Sequence, residues 1–270
     1  MRHCALSPDG TTIAFTYKGD IYTVPSTGGR ATQITTNPAF DTEPVWSPDS
    51  KQIAFASDRM GSLDVFVVSS EGGAPQRLTT HSGSEKPVAY KDNKHILFTA
   101  NIAPSAEDAG FPSGQFQQVY EVAVTGGRPA MFSSMPMECI SINKEGVMLY
   151  QDKKGYEDYW RKHQKSPIAR DIWMLRPGQT PRYEKQTTFI GEDREPVWAP
   201  DGKSFYYLSE ENGTFNVYQR TPGSDTSKQV THHKQHPVRF LSMASNGNLC
   251  YGSMVRSIRW LPAVNRRKFL

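Results

Sequence analysis

The chain has 270 residues and a mass of 30.3 kDa, enough for one large domain or two ordinary ones. Its net charge of +4 comes from Lys and Arg scattered along the chain, which excludes a nucleic-acid footprint, and no apolar run reaches the ~20 residues of a membrane helix. A hydrophobic fraction of 37% is low, but 11% aromatic residues argue against disorder, and 21 Gly with 19 Pro favour turns over long helices.

The chain repeats itself. Residues 6–35 (LSPDGTTIAFTYKGDIYTVPSTGGRATQIT), 46–79 (WSPDSKQIAFASDRMGSLDVFVVSSEGGAPQRLT) and 198–231 (WAPDGKSFYYLSEENGTFNVYQRTPGSDTSKQVT) align with one another. Weaker copies start at Tyr90 and Ile142, and a sixth begins at Ala244. The aligned turn residue is Asp9, Asp49, Asp92, Glu145, Asp201 and Asn246, at gaps of about 40, 43, 53, 56 and 45 residues. That period is near one four-stranded propeller blade.

Each unit has one grammar. A short apolar strand such as Pro44-Val45-Trp46 comes first, followed by an SPDG-type turn. An alternating strand (Gln52–Phe55) and another (Asp64–Val68) come next, then a Gly-Gly turn and a last strand ending in Leu-Thr or Ile-Thr. Strand alternation sends Ile53 and Phe55 one way and Ala54 the other, so both faces of the sheet are apolar. Trp46, Trp173 and Trp198 are expected as wedges between blades. The fold class is therefore all-β: a propeller of four-stranded blades, six-bladed in type, with five complete blades and a truncated sixth. Blades are placed near 3–36, 43–80, 86–134, 138–189, 195–232 and, in part, 237–252.

The SPDG…IAF…DIY.V…GG…LT unit resembles the WD40-like (PD40) repeat of TolB-type propellers. It also resembles the N-terminal propeller of tricorn-like serine proteases, peptidase family S41. Three stretches favour the tricorn-like branch: residues 12–29 (TIAFTYKGDIYTVPSTGG), 156–173 (YEDYWRKHQKSPIARDIW) and 195–210 (EPVWAPDGKSFYYLSE). The insertion with Trp160, His163, Arg170 and Trp173 is the most specific. The resemblance covers about residues 3–252 and reaches no catalytic segment. It implies a propeller that filters or guides peptides toward a protease core outside this chain, in a periplasmic or secreted protein. The generic repeat leaves two alternatives: a TolB-like periplasmic interaction scaffold, and the lid propeller of a prolyl-oligopeptidase-type hydrolase.

The residues themselves offer little chemistry. There is no GxSxG elbow, and the Ser82-Gly83-Ser84 and Ser113-Gly114 clusters fall in loops, so no catalytic residue is assigned. Cys4, Cys139 and Cys250 form no metal pair or disulfide framework, and the histidines of 232–236 precede Pro237 in a turn without a carboxylate. No metal or cofactor is expected. Asp41, Glu43, Glu85, Asp193 and Glu195 recur just before the first strand of a unit, in the loop that enters it. They are candidates to ring one mouth of a central channel and select peptide termini or cations, or else to cap loops. The insertion at 153–169 either covers a channel mouth or docks a partner through Tyr156, Tyr159 and Trp160, or folds onto its own blade.

After Gly252 the pattern fails. Residues 253–270 carry five basic residues and no acid, where a strand like Gly19–Val24 is due. Met-Val-Arg-Ser-Ile-Arg-Trp is compatible with nucleotides that in another frame spell Gly-Glu-Ile-Tyr-Thr-Met. The tail is thus expected to be out-of-frame and the chain to be a fragment at both ends; the alternative is a natural basic tail. Resequencing across codon 252 tests this: the frameshift reading fails if no neighbouring frame continues the repeat.

Overall fold

The computed structural model describes residues 1–102, 117–155, 158, 160–161, 163, 165–178, 180, 182–253 and, for the backbone, 258–261. All regular structure among them is β-strand. The first sheet holds β1 (Arg2–Leu6), β2 (Thr12–Tyr17), β3 (Asp20–Pro25) and β4 (Thr32–Gln33). The second holds β5 (Asp41–Trp46), β6 (Gln52–Ser57), β7 (Asp64–Ser69) and β8 (Gln76–Arg77), and the third β9 (Lys86–Asp92), β10 (His95–Ala100), β11 (Gln118–Ala123) and β12 (Ala130–Ser133). The fourth holds β13 (Met137–Ile142), β14 (Met148–Asp152), β15 (Ile172–Arg176) and β16 (Arg182–Lys185). The fifth holds β17 (Asp193–Trp198), β18 (Phe205–Ser209), β19 (Asn216–Arg220) and β20 (Ser227–Gln229). The sixth holds β21 (Val238–Met243), β22 (Leu249–Ser253) and β23 (Ile258–Leu261).

Every sheet is an antiparallel meander, the expected propeller blade. The sixth goes beyond its expected end at residue 252. Ile258–Leu261 pairs along β22, Leu249 with Leu261 and Gly252 with Ile258. Backbone pairing is indifferent to side-chain pattern, so a segment that breaks the repeat still adds a strand. The chain divides into two units, residues 1–137 and 138–270, with three sheets in each.

Within each unit the blades bury their faces on one another. Ile53 and Phe55 join Ala14, Ile21 and Ile34 of the first blade, while Ala54 joins Ile96, Phe98 and Tyr120 of the third. The two sides of β6 therefore serve two different cores, as alternation requires. In the second unit Leu149 and Met174 meet Trp198 and Phe205, and Phe215 and Val217 meet Val238 and Leu249. Each such large apolar side chain contributes about 1.5–3 kcal/mol on burial. Directly paired aromatics on the second and third strands recur: Phe15–Tyr22, Phe55–Phe66, Phe98–Tyr120 and Tyr207–Tyr218, with centroids 5.7–5.9 Å apart.

Trp46 and Trp198 are buried wedges, and each indole N–H donates to a carbonyl of the preceding blade, Ala5 O at 2.9 Å and Val147 O at 3.1 Å. Trp173 differs from expectation. It is only partly buried, because its N–H turns to Asp152 Oδ2 at 2.9 Å.

Two polar devices recur with the repeat. In the SPDG turn the Asp carboxylate accepts backbone N–H groups just ahead of it: Asp9 from Thr11, Asp49 from Lys51, Asp92 from Lys94 and Asp201 from Lys203. The left-handed turn position is Gly10, Gly146, Gly202 and Gly247, but Ser50 in the second blade. The Ser50 hydroxyl accepts from Asp9 N at 3.1 Å, so one turn holds the next. The second device is a threonine two residues past the fourth strand, after Ile34, Leu78, Gln186 or Val230. Thr35, Thr79, Thr187 and Thr231 accept, through Oγ1, the buried N–H of Ile21, Val65, Ile172 and Val217 at 2.9–3.0 Å.

That contact gives a prediction. Thr231→Val keeps the shape but strands the buried Val217 N–H, and should cost about 1–3 kcal/mol in urea unfolding. Thr231→Ser, which keeps the acceptor, should lose much less. A loss for Thr231→Ser as large as that for Thr231→Val would show that the methyl packing matters as much as the hydroxyl acceptor.

Candidate functional site

The first strand of a blade carries an irregularity that the repeat pattern did not announce. His3, Glu43, Cys139, Glu195 and Phe240, at equivalent positions, all have left-handed φ of 49–59°. Register slips there in β1, β5, β17 and β21, which marks a β-bulge. A non-glycine residue in this conformation costs about 1–2 kcal/mol. The bulge also frees backbone groups, which then need other partners.

Side chains of neighbouring blades supply them. In the second unit Glu195 N donates to Gln151 Oε1 at 2.9 Å, and Glu195 Oε2 accepts from Leu241 N at 2.7 Å. One bulge is thus tied backward to the fourth blade and forward to the sixth. Around it runs an ionic chain, buried at Arg170, Glu192 and Arg194 and half-buried at Glu138 and Lys153. Glu138 accepts from Arg170 Nε at 3.1 Å and Gln151 Nε2 at 2.9 Å, with Lys153 Nζ at 3.3 Å. Arg170 continues to Glu192 at 3.7 Å, and Glu192 accepts from Arg194 Nε at 2.7 Å. Burial alone would raise the Glu138 carboxyl, but the charges of Arg170 and Lys153 hold it below the usual range.

The insertion at 153–169 leans on this chain. Lys154 ties its start to Asp171, to Asp152 and to the carbonyl of Ala169. His163 N donates to Glu210 Oε2 of the fifth blade at 2.6 Å. Trp160 reaches the sixth blade. Its ring packs edge-on to Phe240 at 6.4 Å, and the Arg239 guanidinium lies 4.8 Å from its centroid. Arg239 and Arg194 also lie over Phe215, at 5.9 and 5.2 Å. The insertion is therefore a strap across the blades of its own unit, not a loop confined to its own blade. Trp160 remains 46% exposed at its crest. Tyr156 and Tyr159 lie outside the described residues.

The acids singled out from the sequence fare differently. Glu43 is partly exposed and pairs with Lys86 at 2.7 Å. Asp41, Glu85, Asp193 and Glu195 are buried. Asp41 receives Arg59 Nη2 on both oxygens at 3.0 Å. Their backbone explains the burial. Asp41 N, Glu85 N and Asp193 N each donate to the carbonyl one residue before the preceding blade's third strand, or one further back, at 2.7–3.0 Å. Each position is thus a blade junction. Glu138, Glu192, Arg194 and Arg239 were missed, because buried charges look like surface charges in a sequence. The alternation of Glu192 and Arg194 in EDREPVW was the one available sign. The arrangement has no nucleophile–base pair among the residues described above. It sets paired charges beneath an exposed indole. His233 Nε2 lies 3.2 Å from Tyr251 OH, and among the described residues no three His, Cys, Asp or Glu gather as a metal site.

Residues 1–256 match the family model described as the tricorn protease N-terminal beta propeller domain. Among curated proteins, Tricorn protease homolog 1 of Streptomyces coelicolor is 26% identical over 226 residues, 83% of this chain and 20% of that protein. The uncharacterized peptidase YuxL of Bacillus subtilis is 32% identical over 108 residues, 36% of this chain and 16% of that protein. The chain thus spans a fifth or less of the length of these relatives. Among solved structures, the tricorn protease aligns over 97% of this chain and 25% of its own, with a TM-score of 0.77 at 17% identity. TolB from Acinetobacter baumannii aligns over 96% of this chain and 65% of its own, with a TM-score of 0.65 at 15% identity. These likenesses show the propeller fold.

Two outcomes follow from the geometry. Arg170→Met leaves Glu138 and Glu192 short of a cation and should cost about 3–5 kcal/mol in urea unfolding. Trp160→Ala should change global stability by no more than about 1 kcal/mol, yet speed limited proteolysis within 153–169. Unchanged nicking would mean that Trp160 does not hold the strap.

Proposed function

The chain belongs to the tricorn protease N-terminal β-propeller family, and from that membership we propose that it is the non-catalytic, peptide-guiding propeller of a tricorn-like serine peptidase of family S41. The observation that carries this reading is the family match over residues 1–256, nearly the whole chain, to a domain of a peptidase. Its partners would be peptide substrates and a protease core borne on another part of a longer protein, in the periplasm or secreted. The strap supports the reading. An exposed Trp160 backed by Arg239 and Phe240 gives a peptide an aromatic face and backbone-compatible polar edges without a reactive group. Rigid blades below it mean that little ordering cost falls on the propeller when a peptide docks.

Binding far from the scissile bond acts on longer substrates and leaves short ones alone. The test is therefore a comparison in the complete protein, with and without residues 1–256, on a short chromogenic amide and on longer unfolded peptides. We expect kcat/KM for the long peptides to fall about tenfold or more while the short amide is cleaved as before. Equal effects on both substrates would overturn the guiding role. Trp160→Ala in the complete protein should lower only the long-peptide rate.

A further inference from the structure

The blade junctions contain paired carboxyls that the peptide-guiding reading does not use. The residue at or just before the start of a third strand lies near the one that opens the next blade, close enough for their charges to act on each other: Asp20 with Asp41, Asp64 with Glu85, and Asp171 with Asp193. A threonine stands between them. Its Oγ1 accepts a backbone N–H, as described for Thr35, Thr79 and Thr187, which leaves its own proton for a carboxyl. In each pair one carboxyl holds a cation: Asp41 holds Arg59, Asp64 holds Arg77 at 2.9 Å, and Asp171 holds Lys154 and Lys185. The other member has none. Glu85 and Asp193 are each 1% exposed, and no donor reaches full hydrogen-bond geometry at Glu85 Oε2 or at either Asp193 oxygen among the described residues, although the Thr79, Thr187 and Ser209 hydroxyls stand beside them. An ionised carboxylate so placed is costly, and a proton removes the cost.

We propose that the Asp64–Glu85 and Asp171–Asp193 pairs are proton-holding latches that fasten one blade to the next in acid and loosen above neutrality. The surroundings of each agree. Glu85 faces Asp64 from β7, with Arg77 of β8 on the Asp64 side, the Thr79 hydroxyl and the N–H of His81; neighbouring Lys86 is turned to Glu43. Burial, against the Thr79 hydroxyl and with the Asp64 charge, pushes the Glu85 carboxyl up to about 7. Asp193 faces Asp171 and, beyond it, Lys154, Lys185 and Asp152. From β18 and its following turn come Ser209 and Glu211, and Thr187 closes the side. The charged side chains of Glu192 and Arg194 flank it and pair with each other. Burial, against the Ser209 and Thr187 hydroxyls and with the Asp171 charge, pushes the Asp193 carboxyl up to about 7. At the Asp20–Asp41 junction, burial first and then the Asp41 charge raise Asp20, which is not fully buried. The fifth-to-sixth junction serves as an internal control. There the pair is Asn216 and Val238, and Thr231 Oγ1 donates to Asn216 Oδ1 at 2.9 Å. The joint itself works without a charge.

The sign of the effect follows from proton binding. Unfolded Glu and Asp ionise near 4, whereas folded Glu85 and Asp193 ionise near 7, so the folded chain holds the extra protons between these limits. The stabilisation is complete below the unfolded values and is lost as pH rises to the folded ones. Each group weakens the folding equilibrium by up to about tenfold per pH unit in that window. Asp9, Asp49 and Glu138, whose carboxyls are lowered, act oppositely and at lower pH.

The experiment uses the 270-residue chain. Urea midpoints are measured from pH 5 to 9 for the parent, Glu85→Gln, Asp193→Asn and the double variant. We expect the parent midpoint to fall between pH 5 and about 7, each single variant to remove part of that fall, and the double variant to flatten it. Parallel profiles for the parent and the double variant would overturn the proposal. Should a variant fail to fold, infrared difference spectra of the parent decide. The carbonyl stretch of a buried carboxylic acid should be present at pH 6 and vanish with a midpoint near 7. Its absence at pH 6 would sink the latches.

Discussion

A propeller blade is a sheet with two apolar faces, and neither can be buried without another blade beside it. The rest of the structure answers to that constraint. It is why Ala54 and Ile53, adjacent in sequence, belong to different cores. It is why the indoles of Trp46 and Trp198 bond carbonyls of the preceding blade. The same demand reaches the turns, where Ser50 is retained in a left-handed position that glycine fills elsewhere. Its hydroxyl holds the Asp9 N–H of the turn before it, and glycine would lose that contact.

Close approach of the blades brings backbone with it, and backbone must be satisfied. Where the first strand of a blade bulges, N–H groups leave the ladder and side chains from the adjoining blades take them up. Glu195 does this for Leu241, and Gln151 does it for Glu195. The buried charges of the second unit are best understood as a consequence. Gln151, which caps Glu195 N, is itself held by Glu138, and Arg170, Arg194 and Lys153 supply cations around Glu138 and Glu192. The first unit meets the same need with separate pairs, Asp41 with Arg59 and Glu43 with Lys86.

The fold was legible because its determinants are local and repeated. SPDG turns, alternation and the closing Thr each report a backbone requirement that recurs in unit after unit. The site was much less legible. Trp160 was visible as an aromatic in an overlong connection, but its supports, Arg239 and Phe240, lie nearly eighty residues away in an unremarkable strand. The junction acids were noticed for their recurrence at the start of a unit, but burial of Asp and Glu is rare and leaves no local mark. What overrode that rule is the register that ties Asp41 and Asp193 through their own N–H groups to the preceding blade, a long-range fact with no local sign. Trp173 failed in the reverse sense: the repeat made it a core wedge, and Asp152 drew it out.

The strap and the ionic chain beneath it share residues, and this couples exposure to stability. Arg239 lies between Phe215 in the core and Trp160 at the surface, and Arg170 closes the insertion while neutralising Glu138. A contact residue on a free loop would lose entropy on binding. Here the ring of Trp160 is already held by a guanidinium whose position is set by burial, so its exposed face is presented at little further cost. The insertion departs from the compact blade, yet its described residues are anchored on three blades of the unit. Length without anchoring would yield a mobile loop. Here the described residues are fastened at Asp171, Glu210 and Phe240, and these anchors fix where the exposed Trp160 ring stands.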